Sequence, residues 1–382
     1  MHGLGFAYFL LIGLTILYSG CILSLIYGLY QLRPGKNQMI PPVSVVIAAR
    51  NEAANIEDCL SALEHQTYPA EKFEIIVVDD RSTDATAAIV HQQATTHNNL
   101  TLVPVTECPA GIAPKKNALS RGIQQATGEI ILTTDADCRP VPTWIHSMVR
   151  YFESDVGLVA GFSPLEKQSG KKRLKDRLYA LESLSLASVA AGGIGLGRPL
   201  TCSGRNLAYR KPVFEQVGGF GKFARLISGD DDLLLHQVAH NTQWKIVYAI
   251  DADALVYSRP AANLTAFIHQ RTRHASKGKH YQAILIVILS AVYLYNLLLL
   301  GGLFYLPFVS VNGLILLGGS LLMKSLLEFW LVMKTARFFN KMYLLKIFPL
   351  AELLHLFYVV IFGLLGTFKT FSWKGQKFEA TA

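Results

Sequence analysis

Cysteine is scarce in this chain of 382 residues. The five (Cys21, Cys59, Cys108, Cys138 and Cys202) lie far apart, odd in number and without a C-x-x-C pair. That argues against a disulfide framework and a paired-cysteine zinc site, and it suits a reducing compartment. Charge is thin as well, 16% of residues against 51% hydrophobic. Acids are the rarer sign, 27 against 36 Lys and Arg, which leaves a formal charge of +9. No nucleic-acid motif accompanies that excess, so no nucleic-acid partner is expected. The cations gather beside apolar stretches instead: Arg33 and Lys36; Lys171, Lys172, Arg173 and Lys175; Lys334, Arg337, Lys341 and Lys346. This placement fits the cytoplasmic border of a bilayer with anionic headgroups. The histidines show no metal-ligand spacing. A phosphate-binding G-K-[ST] loop and a dinucleotide fingerprint are also missing, because the glycine-rich tract 191–197 matches neither.

What the chain does have is long apolar sequence, with mean hydropathy +0.31. Residues 4–30 are nearly uncharged and long enough to span a bilayer. They lack a basic start and a small-residue cleavage pattern, so a retained anchor is expected, and Arg33 and Lys36 put residue 33 onward in the cytoplasm. Residues 281–323 hold two further spans' worth of sequence, with Gly301, Gly302, Pro307, Asn312 and Gly313 where the chain could turn. Lys324, Glu328, Lys334, Arg337 and Lys341 continue the second span as an amphipathic stretch, and 347–368 makes a last span. Four spans starting outside leave the C-terminus outside, whereas Lys369, Lys374 and Lys377 favour inside; a re-entrant or interfacial segment would reconcile the two. The expected division is an anchor and linker at 1–40, a cytoplasmic catalytic domain at 41–280, and a C-terminal region of about three spans at 281–382.

The middle part alternates. Buried-strand runs at 43–48, 74–78, 100–105 and 130–134 are separated by helical patterns, which implies crossover connections and a doubly wound, mostly parallel α/β sheet. Ligands of such sheets bind beyond the carboxyl ends of the strands. Three polar clusters stand there: Asn51 and Glu52, Asp79 and Asp80, Asp135 and Asp137. A lone Asp-x-Asp most often marks a turn. On an extended strand, however, positions i and i+2 share a side, so Asp135 and Asp137 can face one site, and their hard oxygens suit Mg2+ or Mn2+ bridging to phosphate.

The runs V-S-V-V-I-A-A-R-N-E, E-I-I-V-V-D-D-R-S-T-D and T-T-D-A-D resemble the GT-A domain of family 2 glycosyltransferases over about residues 41–280. The resemblance implies a Rossmann-like GT-A fold and inverting sugar transfer from a nucleotide-diphosphate donor, a UDP-sugar first among them, with Mg2+ or Mn2+. It further implies that Ala49, Asn51 and Glu52, with Asp79 or Asp80, contact base and ribose, that Lys115 or Lys116 lies near the nucleotide, and that Asp137, helped by Asp135, holds the metal. S-G-D-D-D-L at 228–233 resembles the family's Glu-Asp motif whose Asp is the general base. Aligned on the following Asp-Leu, Asp230 takes that position with Asp231 as the alternative, and Gly229 stands where Glu is usual. Gln270 and Arg273 match the Gln-x-x-Arg-Trp signature of membrane-integrated members, with His274 in place of Trp. Arg273 would face the leaving diphosphate. The missing Trp, a lining of the acceptor channel in polymer-making relatives, weighs against a processive polysaccharide synthase and toward transfer to a lipid or other hydrophobic hydroxyl. A non-enzymatic membrane scaffold is the remote alternative.

Two features of the second half complete the expectations. Leu174, Leu178, Leu181 and Leu184 recur at helical spacing, either on a membrane-surface helix or on a core-facing one. The glycine-rich tract 191–197 is expected to be a loop near the acceptor cleft, since glycine disfavours helix.

Overall fold

The computed structural model describes residues 2–166, 173–261, 263–276, 281, 283–306, 310–368, 371–373 and 376–378; within these, the side chains of 2–4, 264, 273–276 and those beyond 365 are left aside. The chain divides into two units, one of residues 28–260 with 338–340, the other of 1–27, 261–337 and 341–382.

The first unit is the α/β one. It opens with the end of helix α1 (His2–Gln31) and strand β1 (Val43–Ala49), then α2 (Ile56–Glu64), β2 (Phe73–Asp80), α3 (Thr86–Ala94), β3 (Leu100–Val105), α4 (Pro114–Gln125) and β4 (Ile130–Asp135). There follow β5 (Cys138–Pro140), α5 (Trp144–Val149), β6 (Val156–Ala160), α6 (Leu174–Gly195), β7 (Leu207–Arg210), α7 (Lys211–Gln216), α8 (Asp232–Asn241), β8 (Lys245–Tyr248) and β9 (Val256–Ser258). Seven strands form one sheet in the order β3-β2-β1-β4-β7-β6-β8. Pairs β3·β2, β2·β1, β1·β4 and β6·β8 are parallel, and β7 runs antiparallel to both of its neighbours. β5 and β9 make a small antiparallel pair beside it.

Register sets the geometry of the site. Ala48 is opposite both Val78 and Asp135, and Ala49 is opposite Asp79, so the three central strands end level with one another. Both faces of those strands are covered, with Val45, Val46, Ile47, Ile76, Val77, Ile131 and Leu132 at 0–1% exposure. That explains why the sequence reads as unbroken apolar runs rather than alternation.

The glycine-rich tract is helical, contrary to the loop expectation. Residues 191–195 are the last turn and a half of α6. The reason is packing: a Cβ on Gly28 would lie 2.0 Å from the Gly192 carbonyl oxygen, and one on Gly195 would lie 2.0 Å from that of Gly28. Two helix backbones touch where only glycine allows it, and that contact outweighs an intrinsic penalty of about 1 kcal/mol per glycine. Of the four leucines, Leu181 and Leu184 are buried, Leu178 is partly covered and Leu174 is exposed, which favours the core-facing reading for most of α6.

The second unit is helical: the first part of α1, α9 (Leu264–Ser276), α10 (Ala283–Tyr305), α11 (Val311–Phe338) and α12 (Phe348–Phe368). Among the described residues, five helices are long and apolar enough to cross a membrane, one more than the four spans expected from sequence. The additional one is α6, which belongs to the α/β unit. Inside the helical unit, Lys324 is fully buried and bonds Glu352 at 2.5 Å and Glu328 at 2.8 Å, while Tyr18 donates to Glu328. An apolar bundle holding such a triad must pair it internally, as it does here.

Candidate active site

The first two strand ends are tied together by side chains that the turns supply. Asn51 sits in the left-handed region (φ 52°). Its Oδ1 accepts from the Thr83 amide at 2.8 Å, and its amide donates to Ser82 Oγ at 2.9 Å. The Glu52 amide donates to Thr86 Oγ1 (2.8 Å) and the Ala53 amide to Asp84 Oδ2 (3.1 Å). The Ser82 hydroxyl, the Thr83 amide and the Asp84 carboxylate therefore brace the neighbouring loop, and Asp84 Oδ1 also accepts from the Thr86 amide at 3.0 Å at the start of α3. Asp80 is held between Arg81 (2.9 Å) and Arg50 (3.7 Å). Asp79 is 7% exposed, and its Oδ1 has no hydrogen-bond partner among the described residues.

The third cluster meets the C-terminal half of the unit through one lysine. Lys115, on the first turn of α4, places Nζ 2.8 Å from Asp135 Oδ1 and 2.8 Å from Asp230 Oδ2. Burial works against its charge, but the two carboxylates outweigh it and raise Lys115 above the ordinary lysine value. Two acids 95 positions apart are thus joined by one cation. Beside them, burial and then the nearness of Asp135 raise the Asp137 carboxyl, while Arg205 pulls the other way. Cys138 Sγ donates to Asp137 Oδ1 at 3.6 Å.

The residues present fit a divalent cation. Ligand atoms of Asp135, Asp137 and Cys138 lie within 4.8 Å of one another. The two carboxylates crowd negative charge that Lys115 and Arg205 offset in part, and hard oxygens of this kind prefer Mg2+ or Mn2+.

The triple acid divides its labour. Asp231 caps α8: its Oδ1 accepts from the Asp232 amide (2.8 Å) and its Oδ2 from the Gly204 amide (3.1 Å). Asp230 instead faces Lys115. Gly229, where the resemblance led one to expect Glu, has φ +86°, and a Cβ there would lie 2.5 Å from Leu233 Cδ1. The departure therefore has a backbone cause. Gly204 is less tightly constrained, a Cβ there approaching Asp230 Oδ2 to 3.2 Å. Lys116 turns the opposite way from Lys115 and is 1% exposed. Ala49 is buried at the end of β1.

So Lys115, Asp135, Asp137 and Asp230 share one neighbourhood, and Asn51, Glu52, Asp79 and Asp80 line the adjoining strand ends. Gln270 and Arg273 lie on α9 of the other unit; the Arg273 and His274 side chains are outside the described residues. Sequence reasoning missed Arg205 and Gly204. Their signal is the S-G-R-N run at 203–206.

A mostly parallel α/β sheet whose central strands end level with one another, with acids at those ends, is the arrangement of the GT-A architecture. Residues 44–218 match the family model described as Glycosyl transferase family 2. A glycosyltransferase, AglE, of Haloferax volcanii is 32% identical over 233 residues, 59% of this chain and 70% of that one. The chain belongs to glycosyltransferase family 2 and is a glycosyltransferase. The β-monoglucosyldiacylglycerol synthase of Synechocystis is 28% identical over 242 residues, 62% of this chain but 48% of that one. The chain spans only about half the length of that relative. Among solved structures, a mannosyltransferase from Pyrobaculum calidifontis, in complex with GDP-Man and Mn2+, aligns with TM-score 0.58 and 23% identity, over 91% of this chain and 99% of that one. That likeness establishes the GT-A fold.

Proposed function

We propose that the protein is a membrane-bound inverting glycosyltransferase that adds one sugar, from a nucleoside-diphosphate donor, to the hydroxyl of a lipid. The observation that carries this reading is the Lys115 bridge, which brings Asp230 to the same point as the Asp135–Asp137 pair. Asp230 takes the proton of the acceptor hydroxyl as that oxygen attacks the anomeric carbon; positioned general bases of this kind contribute about 10²–10⁴-fold. Asp231 has both oxygens committed to backbone amides and keeps the loop in place. Attack opposite the leaving group inverts the anomeric centre, with no covalent intermediate.

Asp137 and Asp135 would hold Mg2+ or Mn2+, which would supply positive charge against the leaving diphosphate. Asn51, Glu52, Asp79 and Asp80, at the ends of β1 and β2, take base and ribose, and Asp79 offers an unfilled acceptor for a sugar hydroxyl. Lys115 takes the diphosphate side. Arg273 and Gln270 stay in the proposal on their sequence match, Arg273 as a bidentate phosphate partner. Domain 41–280 works on the cytoplasmic side, between the anchor and the C-terminal spans. The likeness to a glucosyldiacylglycerol synthase and the apolar helices support a lipid acceptor.

The test is turnover by the detergent-purified full chain, with UDP-glucose, UDP-GlcNAc and GDP-mannose offered singly to diacylglycerol-containing vesicles. One added sugar, lost in Asp230→Asn and in excess chelator, is the expected result. A ladder of polymer would turn the reading to a processive synthase. Undiminished function in both Asp230→Asn and Asp137→Asn would leave a scaffold.

A further inference from the structure

Adjacent lysines on α4 reach different targets, and the second has none of the usual ones. Lys116 is 1% exposed. Its ammonium donates to three backbone carbonyls: Phe223 O at 3.0 Å, Leu226 O at 2.5 Å and Ser228 O at 2.8 Å. The Phe223 ring covers it with its centroid 5.0 Å away. Among the described residues no carboxylate forms an ion pair with it. Burying a lysine this way is costly unless all its donors are used, and three carbonyls match the three N–H of an ammonium.

The gripped segment, residues 223–228, runs straight into Gly229 and Asp230. Gly229, at φ +86° and without a side chain, cannot stiffen that junction. The orientation of Asp230 therefore depends on how firmly the preceding carbonyls are held. A second tie comes from the same end of α4, where the Ala113 amide donates to Ala224 O at 2.7 Å. The helix that carries Lys115 to Asp135 thus also holds the backbone of the loop that carries Asp230.

We infer that Lys116 is a positioning residue: through the carbonyls of 223–228 it fixes Asp230 relative to Asp135 and Asp137, and so couples the acceptor-side loop to the donor-side helix. The inference rests on the functional reading above for the role of Asp230. Burial pushes Lys116 down to about 8; Asp230, Asp231 and Asp232 oppose that fall and Lys115 adds to it, so at neutral pH the ammonium form predominates. A residue kept only for packing would gain from being apolar.

The experiment compares the full chain in detergent with its Lys116→Met variant, which keeps length but has no donor. Hydrogen exchange of segment 223–231 is read beside donor kinetics with UDP-glucose and GDP-mannose on diacylglycerol vesicles. The expected result is local exchange faster by about tenfold or more, because three hydrogen bonds from a charged donor are lost together. Exchange in β1 and β4 stays unchanged, kcat falls by about tenfold or more, and donor KM holds within about twofold. Ala113→Pro offers an independent check, since its φ of −67° suits proline and only the N–H to Ala224 is lost. It should loosen the same segment in the same direction, which keeps the test open should the methionine variant not fold. Unchanged exchange at 223–231, or a raised donor KM with kcat intact, would overturn the inference. Exchange requires no turnover, so a wild-type chain that transfers nothing refutes the functional reading while the clamp is still decided by exchange.

Discussion

Replacing Lys115 by methionine removes the single cation that joins Asp135 to Asp230. Its side chain is 21% exposed, those of its partners 31% and 13%, so the two ion pairs lie between a surface bridge and a buried one. Surface pairs contribute about 0–1 kcal/mol, and breaking a fully buried pair costs about 3–5 kcal/mol. An intermediate loss of about 2 kcal/mol is expected, a fall of roughly 4–8 °C in Tm for a unit of this size. The second consequence has the opposite sign. A divalent ion entering at Asp135 and Asp137 must compete with the Lys115 bond to Asp135. Without that bond, worth about 1–2 kcal/mol, Mn2+ should bind roughly tenfold more tightly. Free Mn2+ measured by electron paramagnetic resonance during titration, alongside thermal unfolding with and without the ion, reads both effects. The variant should be less stable than wild type without Mn2+ and should recover most of the difference with it. Asp137→Asn serves as the control that binds no Mn2+ at this site. Equal Tm and equal Mn2+ affinity in Lys115→Met and wild type would refute the reasoning, because the bridge would then be an idle surface contact.

Other substitutions separate the acids and their neighbours. Asp230→Asn should lower kcat by about 10²–10⁴-fold while nucleotide affinity is kept, whereas Asp231→Asn should chiefly cost about 1 kcal/mol of stability, since its one acceptor oxygen cannot serve both the Asp232 and the Gly204 amide; kinetics and unfolding on the pair decide between them. Gly229→Glu restores the acid usual in the family, yet it should destabilise by about 2–4 kcal/mol, since φ +86° and a 2.5 Å approach to Leu233 both oppose a side chain; an unaltered Tm would contradict the local geometry. Lys116 sets a pH dependence whose sign can be worked out. Its folded value, pushed down to about 8, lies below the unfolded one near 10.5, so the unfolded chain binds more protons between them. The cost of burying the charge is fully present below pH 8 and is relieved as pH rises toward about 10.5. Wild type should therefore gain up to roughly 3 kcal/mol relative to Lys116→Met over that window, read as a converging or crossing pair of Tm-against-pH curves; parallel curves would sink the assignment.

Much of the site could be read from the chain because its logic is local. A parallel strand buried on both faces needs an unbroken apolar run, and its end is marked where polar residues begin, as at Asn51, Asp79 and Asp135. What could not be read depends on partners remote in sequence. No spacing rule separates Lys115 from Lys116; the side of α4 each occupies decides that one meets Asp135 and Asp230 and the other the carbonyls of 223–228. Nor does spacing tell Asp230 from Asp231; that Asp231 gives both oxygens to the Gly204 and Asp232 amides supports Asp230 as the proposed base and depends on contacts remote in sequence.

The glycines carry the same lesson in the opposite sense. Propensity alone makes 191–195 a loop, and it fails because propensity describes an isolated helix. Gly192 and Gly195 are placed against Gly28, so the absence of side chains permits an approach that larger residues would block. At Gly229 a missing side chain serves conformation instead, and an acid there would be strained by φ +86° and the approach to Leu233. A glycine count in the sequence treats these as one signal, though one lets two helices meet and the other lets a loop turn toward Lys115. Two substitutions would expose the difference: Gly28→Ala should part α1 from α6 and leave Asp230 where it is, whereas Gly229→Ala should displace Asp230 and leave the helices in contact.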